Sequence, residues 1–230
     1  MTKIYGHRGS KGTRPENTLL SFKKALEVGA DGLELDIHLT LDGEIVVIHD
    51  ETLDRTTRGK GHVKDLTLVE IKAMDESVPT LKEVLELMGD SNAELNIELK
   101  TSLFTYEGIE EKVVEVMKGE SRRVIYSSFN LPSVLRLKAL APDAEIALIL
   151  SFPIPQADDF MKHLGLDSLH LAKHLVLKYP NAWEGLHEKI RVWTVNEKED
   201  VQKLLDLGVA AIITDYPKKA VKWAEKAKSR

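Results

Sequence analysis

The sequence has 230 residues, of which 43% are hydrophobic and 30% charged, with a formal net charge of −5 at pH 7. This composition is ordinary for a soluble globular protein of one large α/β domain, and the lack of a basic stripe argues against a nucleic-acid partner. The absence of cysteine excludes disulfides, thiolate metal sites and a thiol nucleophile. The chain enters its first strand without a charged-then-apolar leader, so we expect a cytoplasmic protein. No apolar stretch approaches the ~18 residues of a membrane span, so we expect no stable membrane insertion.

Short apolar strands alternate with amphipathic helical segments along the whole chain. Strands are predicted at 3–7, 32–39, 94–99, 123–127, 144–150, 168–171, 190–195 and 210–214, and helices at 16–29, 80–88, 107–118, 130–140, 156–165, 174–186, 197–207 and 217–228. This alternation predicts a (β/α)8 TIM barrel, an α/β fold whose usual length of about 250 residues is close to that of this chain. The alternative, an open doubly wound sheet, would need a glycine-rich phosphate loop after the first strand, and residues 6–10 do not form one.

The first strand ends in two residues with acid–base and anion-binding chemistry, His7 and Arg8. An imidazole titrates near neutral pH, so His7 is a candidate general acid or base. The Arg8 guanidinium could bind a phosphate through two hydrogen bonds, pair with a carboxylate, or do both. Asn17, at the start of the first helix, could be a helix cap or could point its amide at the site, and we favour the cap.

Three acidic residues lie inside strands that are otherwise apolar, where burial makes a carboxylate costly. Glu34 and Asp36 share one face of strand 32–39, and Glu98 shares one face of strand 94–99 with Lys100. If the three carboxylates converge, each pair ~4 Å apart repels by ~4 kcal/mol at an effective dielectric constant of ~20. A hard divalent cation relieves that repulsion and suits an all-oxygen set of ligands. The pattern therefore predicts a metal site, to which Lys100 adds a positive charge for phosphate.

After strand 32–39, residues 41–44 predict a hairpin turn that returns the chain to His49, the second candidate acid or base. Residues 50–78 then form a polar insertion between a strand and its helix, which is where such barrels place catalytic loops. We treat this insertion as a cap within a single domain of residues 1–230 and expect it to contribute little to the core. Its Arg55, Arg58 and Lys60 could meet an anionic substrate or be solvated.

The remaining polar and aromatic residues near strand ends give weaker indications. Phe129 and Trp193 could wall a substrate pocket or pack between barrel and helices, and Asn196 could orient a neighbouring side chain. Asp215 is interpreted as a turn residue at the start of a helix. A hydrogen bond inside the barrel explains His38. The other histidines are treated as surface or packing residues: His62, His163, His170, His174 and His187.

Eight short motifs are spread over nearly the whole chain. They are HRG at 7–9, PENT at 15–18, GLELDIHLTLDG at 32–43, VVIHDETLDRTT at 46–57, NIELK at 96–100, SSF at 127–129, WTVN at 193–196 and TDYP at 214–217. In these motifs and in their order the sequence resembles the glycerophosphodiester phosphodiesterases. The resemblance implies a (β/α)8 barrel that hydrolyses glycerophosphodiesters, such as glycerophosphocholine and glycerophosphoethanolamine, to sn-glycerol 3-phosphate and an alcohol.

The resemblance also implies roles for the residues already singled out. Three carboxylates would bind Mg²⁺ or Ca²⁺, namely Glu34, Asp36 and Glu98. An acid–base pair and two phosphate-binding cations would surround them, namely His7 with His49 and Arg8 with Lys100. The insertion at 50–78 would cover the glycerol side of the substrate. We expect a small-molecule glycerophosphodiester as the substrate, and a monomer or homodimer.

Two other functions remain open at this stage. A related enzyme on the same scaffold could cleave lysophospholipids, which would favour an exposed apolar rim, whereas the insertion at 50–78 is polar. A barrel that binds a phosphodiester or a metal without turnover would be expected to lack an acid or a histidine, and none of those named above is missing.

Overall fold

The computed structural model describes residues 1–228, in which strands and helices alternate. The strands are β1 Lys3–His7, β2 Gly32–Leu39, β3 Ile45–Val47, β4 Glu94–Leu99, β5 Val124–Ser128, β6 Glu145–Leu150, β7 Ser168–Ala172, β8 Ile190–Trp193 and β9 Ala211–Thr214. The α-helices are α1 Leu19–Glu27, α2 Leu68–Met74, α3 Leu81–Met88, α4 Ile109–Val116, α5 Leu131–Leu140, α6 Ala157–Leu164, α7 Lys173–Lys178, α8 Lys198–Leu207 and α9 Pro217–Lys228. Most of these elements lie within one or two residues of the predicted ranges.

Eight parallel strands close into a barrel, because β1 pairs with β2 on one side and with β9 on the other. β3 lies outside this ring and pairs antiparallel with β2, as the hairpin prediction required. The TIM barrel predicted from the sequence is therefore confirmed. In the part of the chain that is described, no helix combines the length and the apolar character needed to cross a bilayer.

Side chains along each strand alternate between the barrel interior and the surrounding helices. The three aliphatic residues at 33, 35 and 37 belong to the apolar layer under the helices, so Glu34 and Asp36 face the interior.

Gly6 on β1 allows α1 to pack closely. A Cβ at Gly6 would lie 2.9 Å from the Ala25 Cβ and 2.5 Å from the Gly9 carbonyl oxygen. Any larger residue would push α1 away from the strand that carries His7.

The first helix begins later than predicted, at Leu19 rather than at residue 16. Its cap is Thr18, whose hydroxyl accepts a hydrogen bond from the backbone N–H of Ser21 at 3.2 Å. The interpretation of Asn17 as the cap is therefore wrong. Asn17 has a left-handed backbone with φ of +54° and a buried side chain. Its side-chain amide does not cap the helix and can therefore bind another group inside the barrel.

The helix predicted at 174–186 is wrong in length. α7 ends at Lys178, because Pro180 disfavours helical geometry in the residue before it. Residues Pro180–Trp183 and His187–Lys189 then form two short 3₁₀ turns. The buried Trp183 ties this segment to α7, since its indole N–H donates to the Leu175 carbonyl oxygen at 3.0 Å. The chain thus reaches β8 through two turns instead of one continuous helix.

The insertion at 50–78 is a small folded cap, hereafter the cap. It contains a 3₁₀ turn at Val63–Asp65 and α2, whose start is fixed by a capping box between Thr67 and Glu70. A separate apolar cluster, in which every member is at most 4% exposed, joins the cap to β3; it consists of Val46, Ile48, Leu53, Val63, Ile71 and Val78. The expectation that this segment contributes little to the core is therefore wrong.

His170 on β7 is buried inside the barrel with 1% of its surface exposed. Burial, with a further contribution from the positive charge of Arg191, lowers the pKa of its imidazole to about 3. In the unfolded chain the imidazole of His170 takes up a proton near pH 6.5, whereas in the folded protein it stays neutral at that pH. The neutral imidazole therefore makes its full contribution to the free energy of unfolding above pH 6.5. This contribution is lost as the pH falls toward the folded pKa. His170 is therefore a packing residue, one of the two roles expected for it, and it also lines the cavity described below.

We therefore expect His170 to steepen the loss of stability in acid. Between pH 7 and pH 4.5 it should account for about 2–3 kcal/mol of the decrease in unfolding free energy. Urea unfolding of His170→Gln at both pH values should show a correspondingly smaller decrease than the unsubstituted protein. The control is His163→Gln on α6, which replaces an exposed histidine. Equal decreases in His170→Gln and the unsubstituted protein would contradict a buried neutral imidazole.

Candidate active site

The three acidic residues predicted to bind a metal converge at the carboxyl end of the barrel. β2 and β4 pair in a register that sets Asp36 directly beside Glu98, with Glu34 two residues earlier on the same face. One carboxylate oxygen from each residue lies within 4.8 Å of the others. Glu34 and Asp36 are at most 3% exposed. The sequence pattern therefore brings together three hard oxygen donors in a buried cluster, hereafter the acidic cluster.

The electrostatics of this cluster fit a divalent cation. Burial, together with the negative charges of Asp36 and Glu98, raises the pKa of the Glu34 carboxyl well above its ordinary value. Burial also raises the pKa of Glu98. A cation between these oxygens would favour ionisation of all three acids, and hard oxygen ligands are those that Mg²⁺ and Ca²⁺ prefer.

Two positive side chains flank the acidic cluster. The Lys100 ammonium lies 2.9 Å from Glu98 Oε1 and 3.7 Å from Asp36 Oδ1. Arg8 Nε lies 3.3 Å from Asp36 Oδ2, and the Arg8 backbone N–H donates to Glu34 at 2.8 Å. Burial opposes the ionisation of Asp36, but the positive charges of Lys100 and Arg8 lower the pKa of its carboxyl. These contacts offset part of the repulsion inferred from three isolated carboxylates.

The predicted acid–base residue on β1 is held by an aspartate from the far end of the sequence. His7 Nδ1 lies 2.6 Å from Asp215 Oδ1, and Asn196 donates to the other oxygen of Asp215 at 2.7 Å. Burial alone would raise the pKa of Asp215, but the hydrogen bonds from His7 and Asn196 and the nearby positive charge together lower it. An ionised carboxylate only accepts, so Nδ1 carries the ring proton and Nε2 faces Glu34 at 4.0 Å.

The second predicted acid–base residue, His49, has a parallel arrangement. Its Nδ1 lies 2.7 Å from Asp50 Oδ1, and its Nε2 lies 3.2 Å from the Lys100 ammonium. Its backbone carbonyl accepts a hydrogen bond from His38 Nε2 at 3.1 Å, and His38 Nδ1 is bonded to the Tyr106 hydroxyl at 2.7 Å. The prediction of a hydrogen-bonded His38 is confirmed. Burial lowers the pKa of both His7 and His49, which favours the neutral form of each imidazole.

The sequence interpretation missed two residues that act on this site, Asp215 and Asp50, and favoured a different role for a third, Asn17. Asn17 donates to Asp36 Oδ2 at 2.8 Å, Asp215 holds His7, and Asp50 holds His49. The interpretation of Asp215 as a simple turn residue is therefore wrong. Signals for all three were present, since Asp50 directly follows His49, Asp215 belongs to the TDYP motif and Asn17 belongs to the PENT motif. The expectation that Asn196 orients a neighbour is confirmed by its two bonds to Asp215.

A cavity of about 170 Å³ joins these groups. Phe129 and Trp193 form one wall, with ring centroids 5.6 Å apart in an edge-to-face arrangement. The indole N–H of Trp193 donates to the His170 carbonyl oxygen at 3.1 Å, which fixes the ring. The cavity is therefore lined both by aromatic rings and by a charged set of residues that includes Arg8 and Lys100. A polar, anionic group with an apolar or neutral substituent matches these surroundings.

Comparison with known proteins extends over the whole chain. A model of the glycerophosphoryl diester phosphodiesterase family matches residues 7–219. A glycerophosphodiester phosphodiesterase from Caldanaerobacter subterraneus subsp. tengcongensis is 42% identical over 241 residues, which cover 98% of this chain and 98% of that protein. Another, from Bacillus altitudinis, is 42% identical over 249 residues and covers 99% and 100% of the two chains.

Solved structures give the same result. A phosphodiesterase from Oleispira antarctica, in complex with the product sn-glycerol-3-phosphate, superposes with a TM-score of 0.87 and 30% identity over 98% of this chain and 97% of that chain. A glycerophosphodiester phosphodiesterase from Thermotoga maritima superposes with a TM-score of 0.84 and 31% identity over 96% and 98% of the two chains. The similarity is therefore not confined to one motif or to the barrel alone.

Proposed function

The chain belongs to the glycerophosphoryl diester phosphodiesterase family, and we propose that it hydrolyses glycerophosphodiesters to sn-glycerol 3-phosphate and an alcohol with the help of a divalent cation. The protein is an enzyme of the glycerophosphodiester phosphodiesterase class. One observation carries the proposal. His7 and His49 line the same cavity as the acidic cluster, and each is bound through Nδ1 to an aspartate. Nε2 then lies beside Glu34 in His7 and beside the Lys100 ammonium in His49, and it is the nitrogen proposed to transfer a proton.

Arg8 and Lys100 are proposed to bind the phosphate. Arg8 Nε is buried and makes no hydrogen bond within residues 1–228, so it keeps a donor for an incoming anion. Lys100 touches the acidic cluster and also lines the cavity. Substrate phosphate placed between these two cations would contact both charges while remaining beside the acidic cluster. The arrangement supports an anionic diester over a neutral ester as substrate.

Glu34, Asp36 and Glu98 are proposed to hold the cation, Mg²⁺ or Ca²⁺. When bound, the cation would draw charge from the phosphate and lower the pKa of a nearby hydroxyl or water. The charged partners of Asp36 and Glu98 help keep those two carboxylates ionised for this purpose. Asn17 supports Asp36 through its amide and is proposed to fix the direction of that carboxylate.

The two imidazoles are proposed to divide proton transfer. His49 would act as the base in the first step, taking the proton from the glycerol hydroxyl that attacks the phosphorus. His7 would protonate the leaving alcohol after taking up a proton, and the adjacent Asp215 would stabilise the imidazolium. The resulting cyclic phosphate would be opened by water, with the two histidines exchanging roles.

The aromatic wall of Phe129 and Trp193 is proposed to enclose the organic part of the substrate. A second candidate substrate class, the lysophospholipids, is favoured by a specific observation. The loops after β4, β5 and β6 expose large apolar side chains, with Leu103 65%, Phe129 39% and Phe152 59% exposed. An acyl chain could lie along such a rim.

A cytoplasmic location, a single domain including the cap, and a monomeric or homodimeric state stay predictions.

Product analysis tests the proposed function. The purified protein with Mg²⁺ or Ca²⁺ should release glycerol 3-phosphate from the choline, ethanolamine and glycerol diesters of glycerol 3-phosphate at similar kcat/KM. Diesters without a hydroxyl next to the phosphate should be poor substrates, because they lack the proposed internal nucleophile. Choline release from lysophosphatidylcholine at a higher kcat/KM would favour the second candidate. Rapid hydrolysis of bis(p-nitrophenyl) phosphate would contradict attack by the substrate's own hydroxyl.

A further inference from the structure

Arg55, in the cap, donates hydrogen bonds to two carboxylates at once. Its Nε and Nη2 donate to the two oxygens of Asp50 at 2.6 and 2.9 Å. Its Nη1 and Nη2 donate to the two oxygens of Glu16 at 3.2 and 2.7 Å. Glu16 belongs to the loop between β1 and α1, so this one guanidinium connects the cap to the loop that follows the neighbouring strand β1.

Each of these carboxylates holds a residue of the candidate active site. Asp50 Oδ1 accepts the hydrogen bond of His49 Nδ1 at 2.7 Å. Glu16 Oε1 accepts a hydrogen bond from Arg8 Nη1 at 2.8 Å. Arg55 is therefore one side chain removed from both His49 and Arg8, which the fold places at the ends of different strands.

The donors of Arg55 leave little capacity for substrate. A guanidinium has five N–H groups, and these hydrogen bonds use four of them. The side chain is 49% exposed, so water and salt weaken its charge, and its ion pairs alone contribute little stability. Both acceptors are ionised near neutral pH. The pKa of Glu16 is about 2, because its bonds to Arg55 and Arg8 outweigh burial, and the pKa of Asp50 is also lowered by its bond to Arg55.

We propose that Arg55 is a positioning residue that fixes the orientation of the His49 imidazole through Asp50 and of the Arg8 guanidinium through Glu16. This inference rests on the proposed roles of His49 and Arg8. It assigns the cap a part in aligning the catalytic groups, in addition to covering the substrate. It also corrects the sequence-based idea that Arg55 meets the substrate directly.

The chain offers a matched control in Arg58. This residue carries the same charge on the same exposed stretch of the cap, and its side chain makes no hydrogen bond or ion pair in the described residues 1–228. Only its backbone N–H is bonded, to Asp75 at 3.1 Å. Arg55→Ala and Arg58→Ala therefore remove the same charge from the cap, but only Arg55→Ala disconnects Asp50 from Glu16.

The test compares Arg55→Ala, Arg55→Lys and Arg58→Ala by steady-state kinetics with glycerophosphocholine. Arg55→Ala should lower kcat about 10- to 100-fold, the usual range for loss of a supporting contact, and should raise KM by a smaller factor because Arg8 is also loosened. Arg55→Lys keeps the charge but cannot grip both carboxylates, so it should recover only part of kcat. Arg58→Ala should change neither constant. A rise in KM at unchanged kcat for Arg55→Ala would mean substrate binding and would overturn the inference.

A second readout does not depend on turnover. In the ¹H–¹⁵N spectrum of the imidazoles, the hydrogen-bonded Nδ1–H of His49 should be lost or broadened in Arg55→Ala and kept in Arg58→Ala. An unchanged Nδ1–H signal in Arg55→Ala would overturn the inference whatever the substrate is. If the unsubstituted protein hydrolyses no glycerophosphodiester, the proposed function fails, while this spectrum still decides whether Arg55 positions His49.

Discussion

Glu98→Gln is expected to lose metal binding and nearly all activity. The substitution keeps the size of the side chain but removes one of the three carboxylates of the acidic cluster, which are the proposed metal ligands. A cation that supplies several kcal/mol of transition-state stabilisation corresponds to a loss of at least ~10³-fold in kcat/KM when it is removed. The measurements are steady-state kinetics in excess Mg²⁺ or Ca²⁺ and calorimetric titration of the metal-free protein with the same ions.

The matched control for this prediction is Glu94→Gln. Glu94 lies on the same strand and faces the same interior, but at the opposite end of the barrel, where it pairs with Lys3 and with the Tyr5 hydroxyl. Its replacement should lower stability while leaving metal affinity and kcat intact. If Glu98→Gln bound the ion as tightly as the unsubstituted protein, the assignment of Glu98 as a ligand would be wrong.

His49→Ala and His7→Ala should each fold normally and lose at least ~10²-fold in kcat, the lower range for removal of a positioned acid or base. The double variant should lose much less than the product of the two single losses, because the residues act as a unit. Kinetics of the three variants with glycerophosphocholine give this comparison directly. Multiplicative losses would indicate that the histidines serve separate steps or separate sites.

The leaving group distinguishes the two histidines. A glycerol phosphodiester with a p-nitrophenol leaving group needs little protonation, so it should restore activity to the variant that lacks the acid. We expect that restoration for His7→Ala and not for His49→Ala. Restoration of His49→Ala alone would reverse the assignment, and equal restoration of both would contradict a division into acid and base.

The barrel and its acidic cluster could be predicted because they depend on local patterns. Apolar strands alternating with helices predict the fold, and the period of two along β2 places Glu34 and Asp36 on one face. The register between β2 and β4, which sets Asp36 beside Glu98, follows from the closure of the barrel and confirms that convergence. The pairing of β2 with β4 thus brings acidic residues that are distant in the sequence into one cluster.

The residues that were missed depend on contacts between distant parts of the chain or on unusual backbone. Asp215 meets His7 across 208 residues, because barrel closure sets β9 beside β1. Asn17 reaches Asp36 only through a left-handed backbone that its position in the sequence does not reveal. The core of the cap was overlooked because its apolar residues are widely spaced between charged ones. His170 lies between two leucines on a short strand, a pattern that equally fits simple packing.

Titration of metal-free protein with Mg²⁺ or Ca²⁺ tests the central claim most directly, namely that the acidic cluster holds a cation required for diester hydrolysis. The protein is stripped with a chelator, its metal content is measured, and glycerol 3-phosphate release is followed as the ion is returned. We expect no turnover from the stripped protein and a rise in activity that saturates at one bound ion per chain, with no such rise in Glu98→Gln. Full activity of a protein verified to contain no metal would contradict the account.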